Sequence, residues 1–389
     1  MAERDASQDR QDGALLLVGG GRWARVTLSV LARMELPSPL LLISRHGGAA
    51  LDAAIAGRGS RFETLEQALA GGPIRAALVV NNARDHAQTS LALLERAIPV
   101  LVEKPAALTM DQASAMTAAA RAAGKRLMPG HVLKHCHYVE NFAAEARSGL
   151  GDIAAIAITW RDEAGAMRYG ENKSYDVGLG IAEDVGPHIA TLLREILGAG
   201  FGGFTRTAIH RGGASVECDG LWREIPFSLV LERDGAKRER SVTFTDRQGR
   251  EAKLDFSVEP GTISIAGQSR SADPDWPRPL GPLALQFRAF LQDPNLVEAE
   301  LAELAEATLF TAGLADAVRA AQAAWLAEAP AGDPAALLTA MRELIAPGLA
   351  QSGRWTPGDA HGLDDTARKA LELRNSPSKP QLAAILAGL

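Results

Sequence analysis

A short apolar run that ends in three glycines is the feature that most limits how this chain can fold. The run 14–18 reads ALLLV and precedes a stretch with helical spacing. Between them, Gly19, Gly21 and Ala24 fill the pattern G-x-G-x-x-A. The first glycine permits a tight turn, the second lets the backbone approach a pyrophosphate, and the small third residue lets helix and strand pack closely. The pattern predicts a strand, a turn and a helix whose N-terminus faces phosphate groups.

The next predicted strand, Leu40 to His46, ends about 20 residues beyond the glycine turn, where a ribose-reading residue belongs. NAD-binding proteins usually carry Asp or Glu at this place, whereas this chain carries Ser44 and Arg45. A hydroxyl and a guanidinium suit a 2′-phosphate, which an acid would repel. The pattern therefore favours NADP(H) over NAD(H) as the cofactor.

Two further strand–helix units follow. An apolar strand ends at Asn81 and Asn82 and leads to a helix with His86, and a later strand ends in Glu103 and Lys104. This alternation predicts a doubly wound parallel sheet, in which ligands bind at the carboxyl ends of the strands. We therefore expect Lys104 to lie where cofactor and substrate meet. The predicted cofactor-binding residues are Gly19, Gly21, Arg22, Trp23, Ala24, Ser44, Arg45, Asn81, Asn82, His86, Glu103 and Lys104.

A second group of residues suits proton transfer. Asp184 and His188 are four residues apart, so they share one face of a helix. Gly186 and Pro187 between them suit a first helical turn, where proline loses no hydrogen bond. Hydride transfer at an alcohol carbon requires a proton to move at the same oxygen, and histidine is the side chain best suited to this. Lys104 can polarise a carbonyl, and Asp184 can orient His188 or hold a substrate hydroxyl.

Four segments together resemble the Gfo/Idh/MocA family (glucose-fructose oxidoreductase and inositol dehydrogenase): GGGRWA, NNARDH, VEKPAALTMDQA and EDVGPHIATLL. The resemblance covers roughly residues 14–325, and its most specific part is EKP followed by D-x-G-x-H. It implies an N-terminal Rossmann domain and a C-terminal α/β domain with a large open, mostly antiparallel sheet. It also implies Lys104, Asp184 and His188 as the catalytic residues. The family often has an acid where this chain has Thr191, and that departure argues against a plain sugar or cyclitol substrate.

The histidine-rich segment GHVLKHCHYVENF raises the alternative of a metal site. It lacks the acidic partner or open-site pattern that such sites carry, so we predict that no metal is bound. His131 and Lys134 are instead predicted to contact the substrate. Lys173 and Tyr175, in a polar glycine-rich stretch, are further candidates for substrate contacts because such loops often carry function.

The domain organisation follows from these patterns. Residues 1–12 are predicted to be disordered, 13–128 to form the NADP-binding Rossmann domain, 129–330 the substrate and oligomerisation domain, and 331–389 a helical extension. Short alternating strands between residues 205 and 265 predict a sheet of hairpins. Its outer face is an obvious surface for a homodimer or homotetramer.

Bulk properties exclude other classes of protein. A net charge of −6 gives no basic field for nucleic acid or an anionic membrane. The two cysteines have no CxxC partners, which excludes a disulfide framework or zinc ribbon. No apolar run reaches the roughly 18 residues of a membrane helix. These properties predict a cytoplasmic enzyme with a small-molecule substrate.

The sequence thus predicts an NADP-dependent oxidoreductase that acts on a carbonyl, alcohol or imine of a polar small molecule, in a reductive and biosynthetic direction. Two alternatives stay open. A siderophore-type heterocyclic imine reductase need not keep Lys104, Asp184 and His188. A non-catalytic NADP-binding sensor or regulator usually loses such residues.

Overall fold

The computed structural model describes residues 13–36, 39–45, 48–168, 171–172 and 179–328. Within these residues the chain forms two compact units. The first runs to His135 and also includes Pro279–Thr308, whereas the second comprises Cys136–Arg278 and the described residues from Leu309 onwards. The disorder predicted for residues 1–12 and the helical extension predicted for 331–389 lie outside the described residues.

Helices and strands are numbered here in chain order. The helices are α1 (Arg22–Arg33), α2 (Ala49–Ile55), α3 (Leu65–Ala70), α4 (His86–Leu94), α5 (Met110–Ala123), α6 (His137–Gly149), α7 (Ile181–Leu197), α8 (Pro282–Gln292) and α9 (Glu298–Glu328). The strands are β1 (Ala14–Val18), β2 (Leu40–Ile43), β3 (Gly59–Phe62), β4 (Ile74–Val79), β5 (Val100–Glu103), β6 (Leu127–Gly130), β7 (Ile153–Glu163), β8 (Met167–Arg168), β9 (Glu171–Asn172), β10 (Phe201–His210), β11 (Ser215–Trp222), β12 (Ile225–Gly235), β13 (Glu239–Asp246), β14 (Glu251–Asp255), β15 (Thr262–Ile265) and β16 (Gln268–Ser271).

The first unit is built on a six-stranded sheet in the order β3-β2-β1-β4-β5-β6, and all of its strand pairs are parallel. Alternate residues of β1 enter two apolar clusters, with Leu16 on one face and Leu15 and Leu17 on the other. Phe287 of α8 joins one cluster, and Leu301 of α9 joins the other. The sheet order reverses between β1 and β4, and ligands of such sheets bind at this switch point.

Strand β2 is shorter than the sequence predicted. It ends at Ile43 rather than His46 because the chain turns there towards α2. The last ladder contact is made by Ser44, whose N–H donates to the carbonyl oxygen of Phe62 over 3.0 Å. The residues expected to read the cofactor ribose therefore stand in the turn rather than in the strand.

The second unit contains an eight-stranded sheet in the order β10-β11-β12-β7-β13-β14-β15-β16. The β7–β12 pair is parallel, and the other pairs are antiparallel. Ile156, Ile158 and Trp160 of β7 are buried on one face, and α6 packs there through the stacked rings of Phe142 and Phe244. The predicted fold class, a Rossmann sheet followed by a large, mostly antiparallel sheet, is confirmed.

Candidate functional site

The glycine turn after β1 leaves room for a ligand against the backbone. Gly19 has a φ of +142°, and a Cβ there would lie 2.7 Å from the carbonyl oxygen of Val80. Only glycine fits such a position. A Cβ built on Gly21 would meet no atom within 4 Å, so Gly21 borders open space.

Helix α1 follows this turn directly. Its first residues, Arg22 and Trp23, are half-buried, and Ala24 is fully buried, which lets the helix lie close to the sheet. The N–H groups of the first turn carry the positive end of the helix dipole. Open space beside Gly21 and this helix N-terminus together suit a pyrophosphate.

The end of β2 carries hydroxyl and guanidinium groups. Ser44 is buried, and its Oγ has no hydrogen-bond partner among the described residues. Arg45 is exposed. Arg61 of β3, which the sequence prediction did not include, donates from Nη1 to the carbonyl oxygen of Ser44 over 3.4 Å and pairs with Asp52 over 2.7 Å. Two guanidinium groups therefore adjoin Ser44.

The loop after β4 contains the predicted asparagines. The Nδ2 of Asn81 donates to Thr89 over 2.9 Å, while its buried Oδ1 has no partner in the described part of the chain. Asn82 accepts the N–H of Arg84 over 3.2 Å and so caps the short helical turn 83–85. Asn81 thus holds an oriented acceptor at the carboxyl edge of the sheet, whereas Asn82 stabilises the loop.

His86 joins two loops of this edge. Its ring is 2% exposed and lies between the carbonyl oxygens of Pro105, 2.9 Å from Nδ1, and Asn81, 3.2 Å from Nε2. Both contacts are with the backbone. His86 therefore braces the segment after β5 against the loop after β4, although the sequence prediction placed it among the cofactor contacts.

Lys104 follows β5 directly, at the carboxyl end of the strand next to β4. The peptide bond from Lys104 to Pro105 is cis, and the Lys104 N–H donates to the Glu103 carboxylate over 3.0 Å. Burial raises the pKa of Glu103, and the nearby charges of Lys104 and His131 oppose this rise only in part. Glu103 pairs with Gly130 across β5 and β6, so Lys104 and His131 leave neighbouring strands side by side.

His131 and Lys134 share one partner that the sequence prediction missed. Glu303 of α9, which is 2% exposed, lies 2.7 Å from His131 Nδ1 and 2.7 Å from Lys134 Nζ. Burial alone would raise the pKa of Glu303, but the hydrogen bonds and charges of His131 and Lys134 outweigh it and lower the pKa to about 2. Glu303 is therefore ionised, and it fixes the His131 ring through Nδ1.

One turn earlier on α9, a second glutamate makes a different pair. Glu300 forms two hydrogen bonds with Arg126, of 2.6 and 2.9 Å, and both side chains are buried. Arg126 also donates to the carbonyl oxygens of Ala289 and Asp293. Because arginine stays protonated in proteins, Arg126 and Glu300 form a buried ion pair that joins the residue before β6 to α9.

The described residues contain no group of three His, Cys, Asp or Glu side chains placed to hold a metal ion. In the histidine-rich segment, residues 132–135 form a short 3₁₀ turn, so His131 and His135 do not lie on one α-helix. Burial, together with the charge of Lys134, lowers the pKa of His135 to about 4, which keeps that ring neutral at pH 7.

Asp184 and His188 both lie on α7, one turn apart and partly exposed, as their spacing predicts. The helix begins at Ile181, however, so Pro187 stands inside it rather than in the first turn. The first-turn prediction was wrong because the helix extends five residues further towards its N-terminus. Thr191 is buried, and its hydroxyl donates to the Pro187 carbonyl oxygen over 2.7 Å, so it is occupied by the helix itself.

The start of α7 is held by Arg233 of β12. This buried guanidinium donates to the carbonyl oxygens of Leu179 and Gly180 over 3.1 and 3.0 Å and lies 3.4 Å from the Asp184 carboxylate. Asp184 therefore stands in a fixed place beside a cation. Arg233 was not among the residues predicted from the sequence, because 49 residues separate it from Asp184.

Helix α9 packs closely on α7. A Cβ on Gly186 would lie 2.8 Å from Thr311 Oγ1, so the glycine permits this approach. Glu183, also buried, pairs with Arg319 over 3.1 Å. These contacts fix the helix that carries Asp184 and His188. Of the other predicted substrate contacts, Lys173 and Tyr175 lie outside the described residues.

The residues at the carboxyl edge of the first sheet fit a dinucleotide. Gly21 borders open space, and the buried Ser44 Oγ and Asn81 Oδ1 offer polar atoms that no described side chain or backbone group uses. Ser44 follows β2, Gly19 follows β1 and Asn81 comes shortly after β4, so the three stand on the two sides of the switch point.

Among the described helices, none is both long and apolar enough to cross a membrane.

Comparison with known families found one similarity, which covers the first sheet. A model of the Gfo/Idh/MocA family, described as an oxidoreductase family with an NAD-binding Rossmann fold, matches residues 14–131. Residues 14–131 are therefore similar in sequence to the Rossmann domain of this oxidoreductase family. A search of curated protein sequences found no match.

Solved structures of similar fold extend over most of the chain. The UDP-N-acetylglucosamine 3-dehydrogenase GnnA from Acidithiobacillus ferrooxidans is 16% identical, with a TM-score of 0.63 over 80% of this chain and 99% of that one. KijD10, a 3-ketoreductase from Actinomadura kijaniata solved with NADP, is 20% identical, with a TM-score of 0.62 over 79% and 96%. Levoglucosan dehydrogenase, solved with NADH, is 14% identical, with a TM-score of 0.64 over 79% and 97%. At such identities the likeness shows the fold. KijD10 was solved with NADP and levoglucosan dehydrogenase with NADH.

Proposed function

We propose that this protein is an NADP-dependent oxidoreductase that acts on a polar small molecule. The reaction is a hydride transfer between nicotinamide and a carbonyl or alcohol carbon, or an imine or amine carbon, in the reductive direction. The observation that carries the proposal is Lys104, which leaves β5 at the ligand-binding edge of the sheet, beside a buried Glu103. When bound, the nicotinamide supplies or accepts the hydride, and the protein's own residues bind, orient and move the proton.

In this proposal Lys104 polarises the substrate oxygen or stabilises the alkoxide that forms there. Burial raises the pKa of Glu103, and the nearby charge of Lys104 opposes that rise. His188 gives or takes the proton at the same oxygen. Asp184, held beside Arg233, orients His188 or accepts a hydrogen bond from a substrate hydroxyl.

The three neighbouring structures bear on the substrate class. GnnA is a UDP-N-acetylglucosamine dehydrogenase, KijD10 is a ketoreductase solved with TDP-benzene, and the third neighbour was solved with levoglucosan. We propose a polar, hydroxyl-bearing molecule of similar chemistry. The Thr191 hydroxyl is engaged by the helix and provides no carboxylate for sugar hydroxyls. A heterocyclic imine therefore belongs in the same substrate screen.

The decisive test replaces the proposed catalytic residues. A substrate is first found by a screen that monitors NADPH absorbance. The screen contains levoglucosan, sugar nucleotides and cyclic imines, and it selects a compound that the wild type turns over. Lys104→Ala and His188→Ala should each lower kcat on the order of 10² or more, because each removes a group that acts in the transition state. NADPH binding, measured by fluorescence, should persist in both.

The matched controls are Lys237→Ala and His210→Ala, which remove the same side chains from exposed positions, 71% and 54% exposed. Near-normal kcat in both proposed catalytic variants would disprove the assignment. A raised KM with unchanged kcat would make Lys104 and His188 binding residues only. A wild type that binds NADPH but reduces no compound would favour the sensor alternative.

The preference for NADP rests on the turn after β2. Ser44 offers an unpartnered Oγ, and Arg45 and Arg61 supply two guanidinium groups. Hydrogen bonds to charged groups contribute roughly 1.5–3 kcal/mol, or about 10- to 100-fold in affinity. NADPH should therefore bind at least about tenfold more tightly than NADH, and Arg45→Ala should remove most of that difference with NADH binding little changed.

Fluorescence titration of both cofactors checks this prediction. Arg58→Ala is the matched control, because Arg58 is exposed on the same domain just before β3. Equal affinities in the wild type would rule out a preference for NADP. Loss of both cofactors in Arg45→Ala would mean that Arg45 holds the turn or the adenine rather than the phosphate.

We also propose that the protein forms a homodimer or homotetramer through the eight-stranded sheet. On β7, the positions that alternate with the buried face include the exposed residues Ala155 and Ala157 and the half-buried Thr159. Such small side chains make a flat face that can pair with a second copy. Light scattering in solution measures the number of copies.

A further inference from the structure

The imidazole of His188 lies flat against an indole. Its ring centroid is 5.1 Å from that of Trp160, and the two planes differ by 12°. Trp160 belongs to β7 and is 3% exposed. A face-to-face contact of this kind holds the imidazole through its ring face and so fixes the plane of the ring.

Trp160 is itself held in place by charged groups. The guanidinium carbon of Arg240 lies 3.9 Å from the indole centroid, within the range of a cation–π contact. Arg240 stands opposite Trp160 in the β13–β7 register. Its Nη2 donates to the Asp162 carboxylate over 2.7 Å, and both side chains are 5% exposed. Phe256 packs edge-on against the same indole at 5.9 Å.

These contacts form one series: Asp162 holds Arg240, Arg240 holds Trp160, and Trp160 holds His188. An aliphatic core would fill the same space at less cost, because buried ion pairs are often no more stabilising than hydrophobic residues of equal volume. The series therefore does something that apolar packing would not. It fixes an indole in orientation directly beneath the imidazole of His188.

We propose that Trp160 is a positioning residue for His188, and that the Asp162–Arg240 pair holds the indole of Trp160 in its orientation. This inference rests on the proposed function, in which His188 moves the proton. Rotation of the imidazole away from its productive plane would lengthen or misalign the path of that proton, and small misplacements of this kind are costly in rate.

Kinetics provide the first test. Trp160→Leu removes the ring face and should lower kcat about tenfold or more on the screened substrate, with the KM for NADPH little changed. Trp160→Phe keeps an aromatic face and should restore kcat to within about threefold of wild type. The matched control is Trp222→Phe, since Trp222 is fully buried in the same sheet and packs on Phe201 and Phe310 instead. It should leave kcat unchanged.

Fluorescence provides a test that needs no substrate and no folded Trp160→Leu variant. A protonated imidazole against an indole face quenches its emission, so the wild type should show a fluorescence step as His188 titrates. That step should persist in Trp222→Phe and disappear in both His188→Gln and Trp160→Phe.

Two results would overturn the proposal: no His188-dependent step in the wild type, or a folded Trp160→Leu variant with normal kcat. The two tests also separate this inference from the proposed function. If His188→Ala kept normal turnover while the fluorescence step was present, the stack would exist but the catalytic assignment of His188 would fail.

Discussion

Two histidines, one in each unit, are held by opposite means. His131 is 3% exposed, and a buried carboxylate grips it through Nδ1 at 2.7 Å. His188 is partly exposed, and an indole supports its face. The first arrangement uses a ring nitrogen and a full ionic charge, whereas the stack uses neither.

The difference indicates what each histidine can do. A buried carboxylate that loses its partners is strongly destabilising, so the Glu303 arrangement contributes mainly to the stability of the first unit. A stacked imidazole is held through its ring face, which fixes the plane in which a proton can be exchanged. On this comparison we expect His188 to affect rate and the Glu303–His131 pair to affect stability, even though the sequence predicted His131 as a substrate contact.

Among the variants that test the comparison of His131 with His188, Glu303→Gln should have the largest effect on the free energy of unfolding. It leaves His131 and Lys134 without their shared anion, so the free energy of unfolding should fall by about 3–5 kcal/mol. Glu300→Gln is the matched variant one turn away and should cost a similar amount, because Arg126 is also buried. Urea unfolding of the three proteins measures this effect.

In the folded Glu303→Gln variant, kcat should stay within about threefold of wild type. A fall in kcat of tenfold or more in Glu303→Gln, absent from Glu300→Gln, would break the comparison. It would place His131 or Lys134 in contact with the substrate, as the sequence predicted.

The pH dependence of the free energy of unfolding gives a smaller effect, and it also distinguishes Glu303→Gln from the wild type. The pKa of Glu303 is lowered from 4.5 to about 2 in the folded protein, so its contribution to stability is fully present above pH 4.5 and is lost as the pH falls towards 2. A difference of about 2.5 pH units corresponds to about 3 kcal/mol. The unfolding free energy of Glu303→Gln should therefore change less between pH 5 and pH 3 than that of the wild type.

His135 also loses stability in acid, and because the charge of Glu303 raises the pKa of His135, its contribution differs between Glu303→Gln and the wild type. Its pKa is lowered to about 4, so stability falls as the pH drops from about 6.5 to 4, where the unfolded chain takes up the proton first. Urea unfolding at pH 6, 5, 4 and 3 separates the two groups. Parallel curves for Glu303→Gln and wild type would show that Glu303 carries no such depressed pKa.

The first domain was largely readable from sequence because its signals are local. The glycine turn, the apolar strands and the Glu103–Lys104 strand end each lie within a few residues, and the Rossmann sheet follows from their alternation. The same local reading placed the start of α7 too late. Helical residues before Gly186 carry no strong start signal: the helix begins after Gly180, which makes no side-chain cap.

The residues that hold the candidate site were not predictable because their partners are distant in sequence. Glu303 is 172 residues from His131, and Arg233 is 49 residues from Asp184. Trp160 meets His188 only once α7 lies on the sheet. Periodicity places a residue on a face, but it does not identify the residue that will face it from another element.

The distance between Arg126 and Glu300 also has a consequence during synthesis. The first unit becomes complete only when residues 279–308 have left the ribosome, and Glu300 lies 174 residues after Arg126. Protein synthesis adds about 5–20 residues per second, so roughly 10–30 s pass between the synthesis of Arg126 and that of Glu300 and Glu303. During that interval Arg126, His131 and Lys134 lack the glutamates that pair with them, and residues 14–131 lack the last segment of their unit.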